Sequence, residues 1–455
     1  MPTPNIVFVH VDQMHHRAIS ALGNKHVKTP GFDTLMREGM HLSRVHASNP
    51  VCCPARSSWW TGRMSCEHRV IVNGVPMEHG MEDVATWLRS KAGYENIYAG
   101  KWHVPGRSVD RCFKVIRRGS GQGEYTDAVV TDTAVAYLRR RKPGKPLLMS
   151  VGLLNPQDCC YNAGALGGIG KYGYAASIRQ ELPPLPENFK VEQRQRRPSV
   201  EGWSDRDWQY YRYCYFRQVE MVDAQVARLY EAVRKMPDAD NTLFLFASDH
   251  GDGLGYHGHT GKGYLEDEAL RVPAIAVWPG RIKAGSKSDV LASQIDFAAT
   301  FCDLAGVPQL PNTPIARSLL PALIDQKQEW RDHVVAENGI EVVIRDDRHK
   351  SYFDEKKGLH RLFDMQDDPL ETRNLATGID PAAVKERHWG WFRKYAGTVQ
   401  LSKSDDGLKA AMNREHRGRM STRPAGKIRK GVERLERVRR WYPKVAAGEI
   451  GVERD

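Results

Sequence analysis

No stretch of this 455-residue chain approaches the roughly 18 consecutive apolar residues that a membrane-crossing helix needs. Met1 to Asn5 lead straight into an apolar, strand-like segment, without the charged, apolar and small-residue succession of a secretory leader. As written, the chain is expected in the cytoplasm with no membrane partner; a periplasmic or secreted location follows only if a leader was removed. Zinc-type spacing is missing too. The eight cysteines, at 52, 53, 66, 112, 159, 160, 214 and 302, form no paired CxxC. A chain this long does not need disulfide staples, so the thiols are expected to be reduced and mostly packed as small core residues. Internal repeats and low-complexity blocks are also absent.

What is present is an uneven charge. The net charge is +12, and from Pro381 onward there are 19 Lys and Arg against 9 Asp and Glu. The rest of the chain is therefore near neutral. With Arg434, Arg437, Arg439 and Arg440 close together, the tail taken alone could contact nucleic acid, an anionic surface, an acidic polymer or a neighbouring subunit. A solvated helical face is the simpler reading. No nucleic-acid partner is expected, and a homo-oligomer is compatible with the composition.

Short apolar runs at 5–11, 146–151, 242–247 and 272–277 read as buried strands. Helical patterns separate them. The clearest covers about 208–235, where Val219, Val222, Val226, Leu229 and Val233 recur at three- and four-residue intervals and mark a core-facing stripe. The alternation predicts an α/β fold, a mostly parallel central sheet flanked by helices on both faces, with the active site beyond the carboxyl ends of its strands. After about Pro311 the pattern turns to short alternating pieces, with strands at 351–353 and 362–364. The expected division is a catalytic unit over 1–312, a C-terminal α+β subdomain with a short antiparallel sheet over 313–400, and a basic extension over 401–455. Within that extension, 432–442 reads as a helix. Glycine-rich segments at 107–123 and 164–177 are the expected specificity loops.

Polar clusters fall at the predicted strand ends. The first strand ends in Asp12-Gln13, and another ends in Ser248-Asp249-His250-Gly251. Further clusters are Gly100-Lys101-Trp102-His103, Asn155-Pro156-Gln157-Asp158 and the segment from Gly255 to Lys262, which contains His257 and His259. Cys52-Cys53-Pro54-Ala55-Arg56 precedes Thr61-Gly62-Arg63. Taken singly, each has an ordinary reading, as a buried thiol, a helix-capping Asp or a surface Lys. Pro54 suits the first turn of a helix running through Trp59 and Trp60. The amino end of that helix would aim unpaired N–H groups and partial positive charge at Cys52.

Taken together and in this order, the clusters resemble the formylglycine-dependent sulfatases of the alkaline phosphatase superfamily. Cys52-Cys53-Pro54-Ala55-Arg56 matches that family's CxPxR pattern, and the resemblance runs from about Asn5 to about Ala376. It implies that a formylglycine-generating enzyme oxidises Cys52 during maturation. One hydroxyl of the hydrated aldehyde then attacks sulfur, and the other loses a proton to expel sulfate as the aldehyde re-forms. Arg56 would hold the ionised hydroxyl. One divalent metal ion would be held by Asp12, Gln13, Asp249 and His250 together with position 52. The resemblance implies calcium; Gln13 in place of an acid, together with an imidazole, leaves magnesium, manganese and zinc open. Lys101 and Lys262 would bind sulfate, and His103 would accept the proton from the spare hydroxyl. Gln157 stands where the family carries a histidine and can donate a hydrogen bond but no proton, which assigns protonation of the leaving alcohol to His257 or Lys262. His259 is expected as a substrate contact or a loop residue.

The implied activity is hydrolysis of a sulfate monoester, on a carbohydrate or other small organic sulfate. Two alternatives stand beside it: a phosphonate monoester or phosphodiester hydrolase with the same nucleophile, and a non-catalytic polyanion-binding protein on the same scaffold.

Overall fold

The computed structural model describes residues 2–161, 181–191, 197–325, 329–377, 381–402 and 422–452. An eight-stranded sheet forms the centre, in the spatial order Ser286–Ser288, Met40–Leu42, Ala274–Val277, Thr242–Ser248, Asn5–Asp12, Leu147–Pro156, Glu95–Gly100 and Lys114–Arg118. Only Ala274–Val277 runs antiparallel to its neighbours. The expected strand at 272–277 is in fact two. Pro273 has no N–H to give to a ladder, and Arg271–Val272 belongs to a separate three-stranded sheet.

Asn5–Asp12 is buried along its whole length, and its alternating side chains feed two cores. Ile6 and Phe8 pack with Trp59, Trp60, Phe297 and Phe301. Val7, Val9 and Val11 pack with Tyr215, Val219, Val222 and Val226 from the long helix Asp205–Arg234. The predicted stripe is thus the face that covers one side of the sheet, while the helix Cys52–Thr61 covers the other. All ten residues of Cys52–Thr61 are buried. Trp59 meets Phe8 edge-on at 5.3 Å, so the helix carrying the candidate nucleophile is bolted to the strand that carries Asp12.

A four-stranded antiparallel sheet follows, Val334–Glu337, Glu341–Arg345, His349–Asp354 and Gly358–Asp364, in sequence order. The two strands expected here pair with Ser351 opposite Leu362. Helices Ala382–Thr398 and Thr422–Ala447 lie against this sheet, with Phe392 5.2 Å from Trp441 and 5.8 Å from Tyr442. The boundary expected at 401 therefore does not detach the basic tail. Leu435, Val438, Trp441, Tyr442 and Val445 are buried, and the Tyr442 hydroxyl donates to Glu337 at 2.9 Å. Of its arginines, Arg440 is exposed, whereas Arg434, Arg437 and Arg439 are half-buried and Arg437 pairs with Glu355. Among the described residues no helix is long and apolar enough to cross a membrane. The expected specificity loop at 164–177 lies outside the described residues.

Candidate active site

Three parallel strands deliver the site. Asp12 ends the central strand, and the Thr242–Ser248 strand beside it runs straight into Asp249 and His250. The Glu95–Gly100 strand hands over to Lys101. Cys52 is the first residue of its helix, after Val51 in extended conformation. Its sulfur lies 3.5 Å from Asp12 Oδ1, 3.2 Å from His250 Nε2 and 2.8 Å from Lys262 Nζ.

Cations surround the two carboxylates. Asp12 takes Lys101 at 2.6 Å, Arg56 at 3.3 Å and Lys262 at 3.5 Å. Asp249 takes Arg56 Nε at 2.9 Å and accepts the backbone N–H groups of Gln13 at 3.0 Å and His250 at 2.9 Å. Burial raises the Asp12 carboxyl, but Lys101, Lys262 and Arg56 outweigh it and hold Asp12 well below its ordinary value. Burial and the neighbouring Asp12 push Asp249 up. At Cys52, burial and Asp12 oppose ionisation, while Lys262, His250 and Lys101 win and hold the thiol well below its ordinary range.

The donor set fits a divalent cation. Ligand atoms of Asp12, Cys52, Asp249 and His250 all lie within 4.8 Å of one another. His250 Nδ1 donates to the Gly251 carbonyl at 2.8 Å, which fixes the tautomer and turns the Nε2 lone pair toward Asp12 and Asp249. Arg56 already joins the two carboxylates, and with His250 beside them they form a mixed oxygen and nitrogen donor set of the kind a divalent cation takes.

A sequence model of the sulfatase family matches residues 4–307. The chain belongs to the sulfatase family. A second family model, N-sulphoglucosamine sulphohydrolase, C-terminal, matches residues 255–390. The chain is 27% identical to an ulvan-active sulfatase of Formosa agariphila, with 84% of this chain and 78% of the relative covered. It is also 27% identical to a delta 4,5-hexuronate-2-O-sulfatase of Bacteroides thetaiotaomicron, over 88% of this chain and 90% of the relative. Among solved structures, a 2-O GAG sulfatase superposes with a TM-score of 0.75 at 24% identity, covering 89% of this chain and 96% of that one. The phosphonate monoester hydrolase of Agrobacterium radiobacter gives 0.70 at 22% identity, covering 87% and 95%. At those identities the two superpositions speak for the fold alone.

Asp12, Cys52, Arg56, Lys101, Asp249, His250 and Lys262 thus come together as the sulfatase motifs led one to expect. Arg56, however, spends its guanidinium on both carboxylates, on the Lys101 carbonyl at 3.2 Å and against His10 Nδ1 at 3.2 Å. It ties Asp12 to Asp249 and acts on Cys52 through its charge. Gln157 is half-buried, and its oxygen accepts from Lys101.

Two expectations, at Gln13 and His257, read differently in three dimensions. Gln13 adopts φ 73°, and its amide donates to Asp252 at 2.6 Å and to the sulfurs of Cys159 and Cys160, both at 3.3 Å. Its side chain therefore supports the site from behind and does not join the cation ligands. His257 has both ring nitrogens engaged: Nδ1 donates to the Val191 carbonyl at 2.9 Å and Nε2 accepts from Asn188 at 3.1 Å. It stands with Glu268 and Glu371, with no proton to spare for a leaving alcohol. His103 is exposed at φ 55°. His259 packs its ring against Tyr264 at 4.9 Å. Sequence reasoning also passed over His10 and Asp252. The signals were a lone polar side chain inside an apolar strand and an acid two residues beyond His250.

Proposed function

We propose that this sulfatase hydrolyses a sulfate monoester of a carbohydrate, using as its nucleophile the hydrated aldehyde made from Cys52. The observation that carries this reading is the seat of the Cys52 sulfur, at a helix amino end and within 3.5 Å of Asp12, His250 and Lys262. Saccharide specificity is supported by relatives named for ulvan, delta 4,5-hexuronate and N-acetylglucosamine sulfates.

In the reaction, the sulfate group lies between Lys101 and Lys262, whose ammonium groups offset charge that grows on its oxygens as the S–O bond to the alcohol breaks. Asp12, Asp249 and His250 would hold the divalent cation, which supplies Lewis-acid polarisation of the sulfate oxygens. Arg56 keeps the two carboxylates in place, and Gln157 keeps the Lys101 ammonium turned inward while its own amide N–H₂ can donate to the sulfate. With His257 committed to Asn188 and Val191, Lys262 is the proton donor proposed for the leaving oxygen, and His103 the acceptor from the spare hydroxyl.

Purified enzyme, assayed on sulfated mono- and disaccharides beside matched aryl sulfate and aryl phosphonate esters, tests the substrate class by kcat/KM. A preference for the phosphonate would move the chain to the alternative reaction. Peptide mass spectrometry at Cys52, after co-expression with a formylglycine-generating enzyme, tests the nucleophile. Chelation followed by return of calcium, magnesium, manganese or zinc tests the cation.

A further inference from the structure

A cavity of about 360 Å³ opens at the edge of the central sheet, beyond Met40–Leu42 and Ser286–Ser288. Its lining includes His16, Arg17, His41, Ser43, Arg271 and Lys287, and no carboxylate. The nucleophile cluster contributes none of these residues.

Two observations mark it as built for an anion. Among the described residues, neither Arg17 nor Arg271 has a carboxylate within ion-pair distance. Arg17 lies 5.9 Å over the Tyr256 ring, and Arg271 spends only its Nε, on the Ser43 carbonyl at 2.8 Å. The acids nearby are already taken, Asp267 by Lys350 at 2.7 Å and Asp289 by Lys287 at 2.8 Å. His16, 7% exposed, has no hydrogen-bond partner at either ring nitrogen. Its ring stacks on that of His15 at 4.7 Å. A buried polar ring with both nitrogens unsatisfied costs on the order of 1–3 kcal/mol per group. Burial, Arg271, His15 and Arg17 together hold His16 well below its ordinary value, so the neutral ring keeps one N–H to donate. A cation is excluded by the guanidinium groups, and an apolar ligand would leave these donors unpaired.

We propose that this cavity is a second oxyanion site, in which Arg17 and Arg271 grip a sulfate or phosphate group and the His16 ring donates to it. Guanidinium forks suit tetrahedral oxyanions by geometry as well as charge. Such a group has two sources: a free inorganic ion, or a second anionic substituent on a saccharide whose scissile sulfate sits at Cys52. The strands carrying Asp12 and His41 are three strand spacings apart, about 14 Å, a span for an oligosaccharide and not for a monosaccharide. Only the second source rests on the sulfatase reaction proposed above.

The test is calorimetric titration of the whole chain with inorganic sulfate and, separately, inorganic phosphate, comparing wild type with Arg17→Gln and Arg17→Glu. Arg17→Glu is expected to weaken one of two binding events by at least about tenfold, and Arg17→Gln by less. Both variants should keep the anion-free thermal midpoint and the kcat/KM for an aryl monosulfate. A parallel fall in kcat/KM on a disulfated disaccharide assigns the site to the substrate; an unchanged value assigns it to the free ion. A single sulfate per chain, or titration of Arg17→Gln identical to wild type, overturns the proposal. Should Arg17→Glu fail to fold, the neutral variant decides alone. Because binding is read without turnover, a chain inactive on every sulfate ester would sink the catalytic reading and leave this one standing.

Discussion

Two clusters of buried charge come next to each other along the chain at Lys262 and Glu266 and are put to opposite uses. At the nucleophile, Arg56, Lys101 and Lys262 are shared between Asp12, Asp249 and a thiol, and the lone pairs of Asp12, Asp249 and His250 converge on a common gap. A few residues further on, each cation bridges two acids. Lys350 sits between Asp267 at 2.7 Å and Glu371 at 2.6 Å, and Arg361 between Glu266 at 2.5 Å and Glu341 at 3.0 Å. Lys350 and Arg361 stand on neighbouring strands of the four-stranded sheet, while Glu266 and Asp267 open the helix Asp267–Leu270, so the second cluster clamps that sheet to the segment just after Lys262. Burial and charge alone do not make an active site. What separates the two is whether the ligand atoms already neutralise one another or still face a shared opening.

The sharpest break in this comparison is Cys52→Ala, which is expected to lower turnover by about 10⁴-fold or more while the thermal midpoint stays put. Retention of even a hundredth of the activity would remove position 52 from the chemistry. Next in size is Lys350→Met on the clamp side. It strands the buried Asp267 and Glu371 and should cost about 3–5 kcal/mol in denaturant unfolding, with kcat of the folded fraction little changed. A comparable loss of kcat at full stability would show the clamp to be catalytic after all. Lys262→Ala should do the reverse, lowering kcat by about 10²–10³-fold at nearly unchanged stability.

His257→Gln probes the boundary between the clusters. Its two hydrogen bonds are structural, so about 1 kcal/mol of stability each is at stake, and kcat on an unactivated alkyl sulfate should hold. A collapse of kcat with that substrate, but not with an activated aryl sulfate, would return the proton-donor role to this ring. The smallest effect is one of pH. Burial and neighbouring acids raise Glu268 to about 8, and burial raises Glu371 to about 7. Their folded values lie above the unfolded one, so the native state holds the extra protons. Their contribution is whole below the ordinary glutamate range and is lost as pH rises through 7 and 8. Unfolding free energy should therefore decline from about pH 4.5 to about pH 8, by roughly 1.4 kcal/mol per unit at most for each group, and Glu268→Gln should flatten that slope. An identical slope in the variant would mean that the clamp does not titrate there.

Much of this was legible along the chain. Asn5–Asp12 and Thr242–Ser248 are continuous apolar runs because they are buried on both faces, and a run of that kind names its own polar terminus, Asp12 in one and Asp249 in the other. The stripe from Val219 to Val233 gave the long helix for the same reason. Less legible was Ala274–Val277, whose antiparallel direction depends on its neighbours. The tail was legible only by halves: its arginines dominate the composition, while Val438, Trp441 and Tyr442, which dock it, are spread through the charge.

The sequence by itself determined which residue types stand at the strand ends and that a thiol opens a buried helix, because hydrophobic period and helix-start chemistry are local properties. Only the tertiary structure decided which way Gln13, Arg56 and His257 face. A left-handed backbone at Gln13 and His257, φ 73° and 51°, sets their direction, and the groups that capture them, Asp252 for Gln13 and Asn188 for His257, lie 239 and 69 residues away in the chain. A motif fixes what a side chain can do, and its distant neighbours fix what is left for it to do.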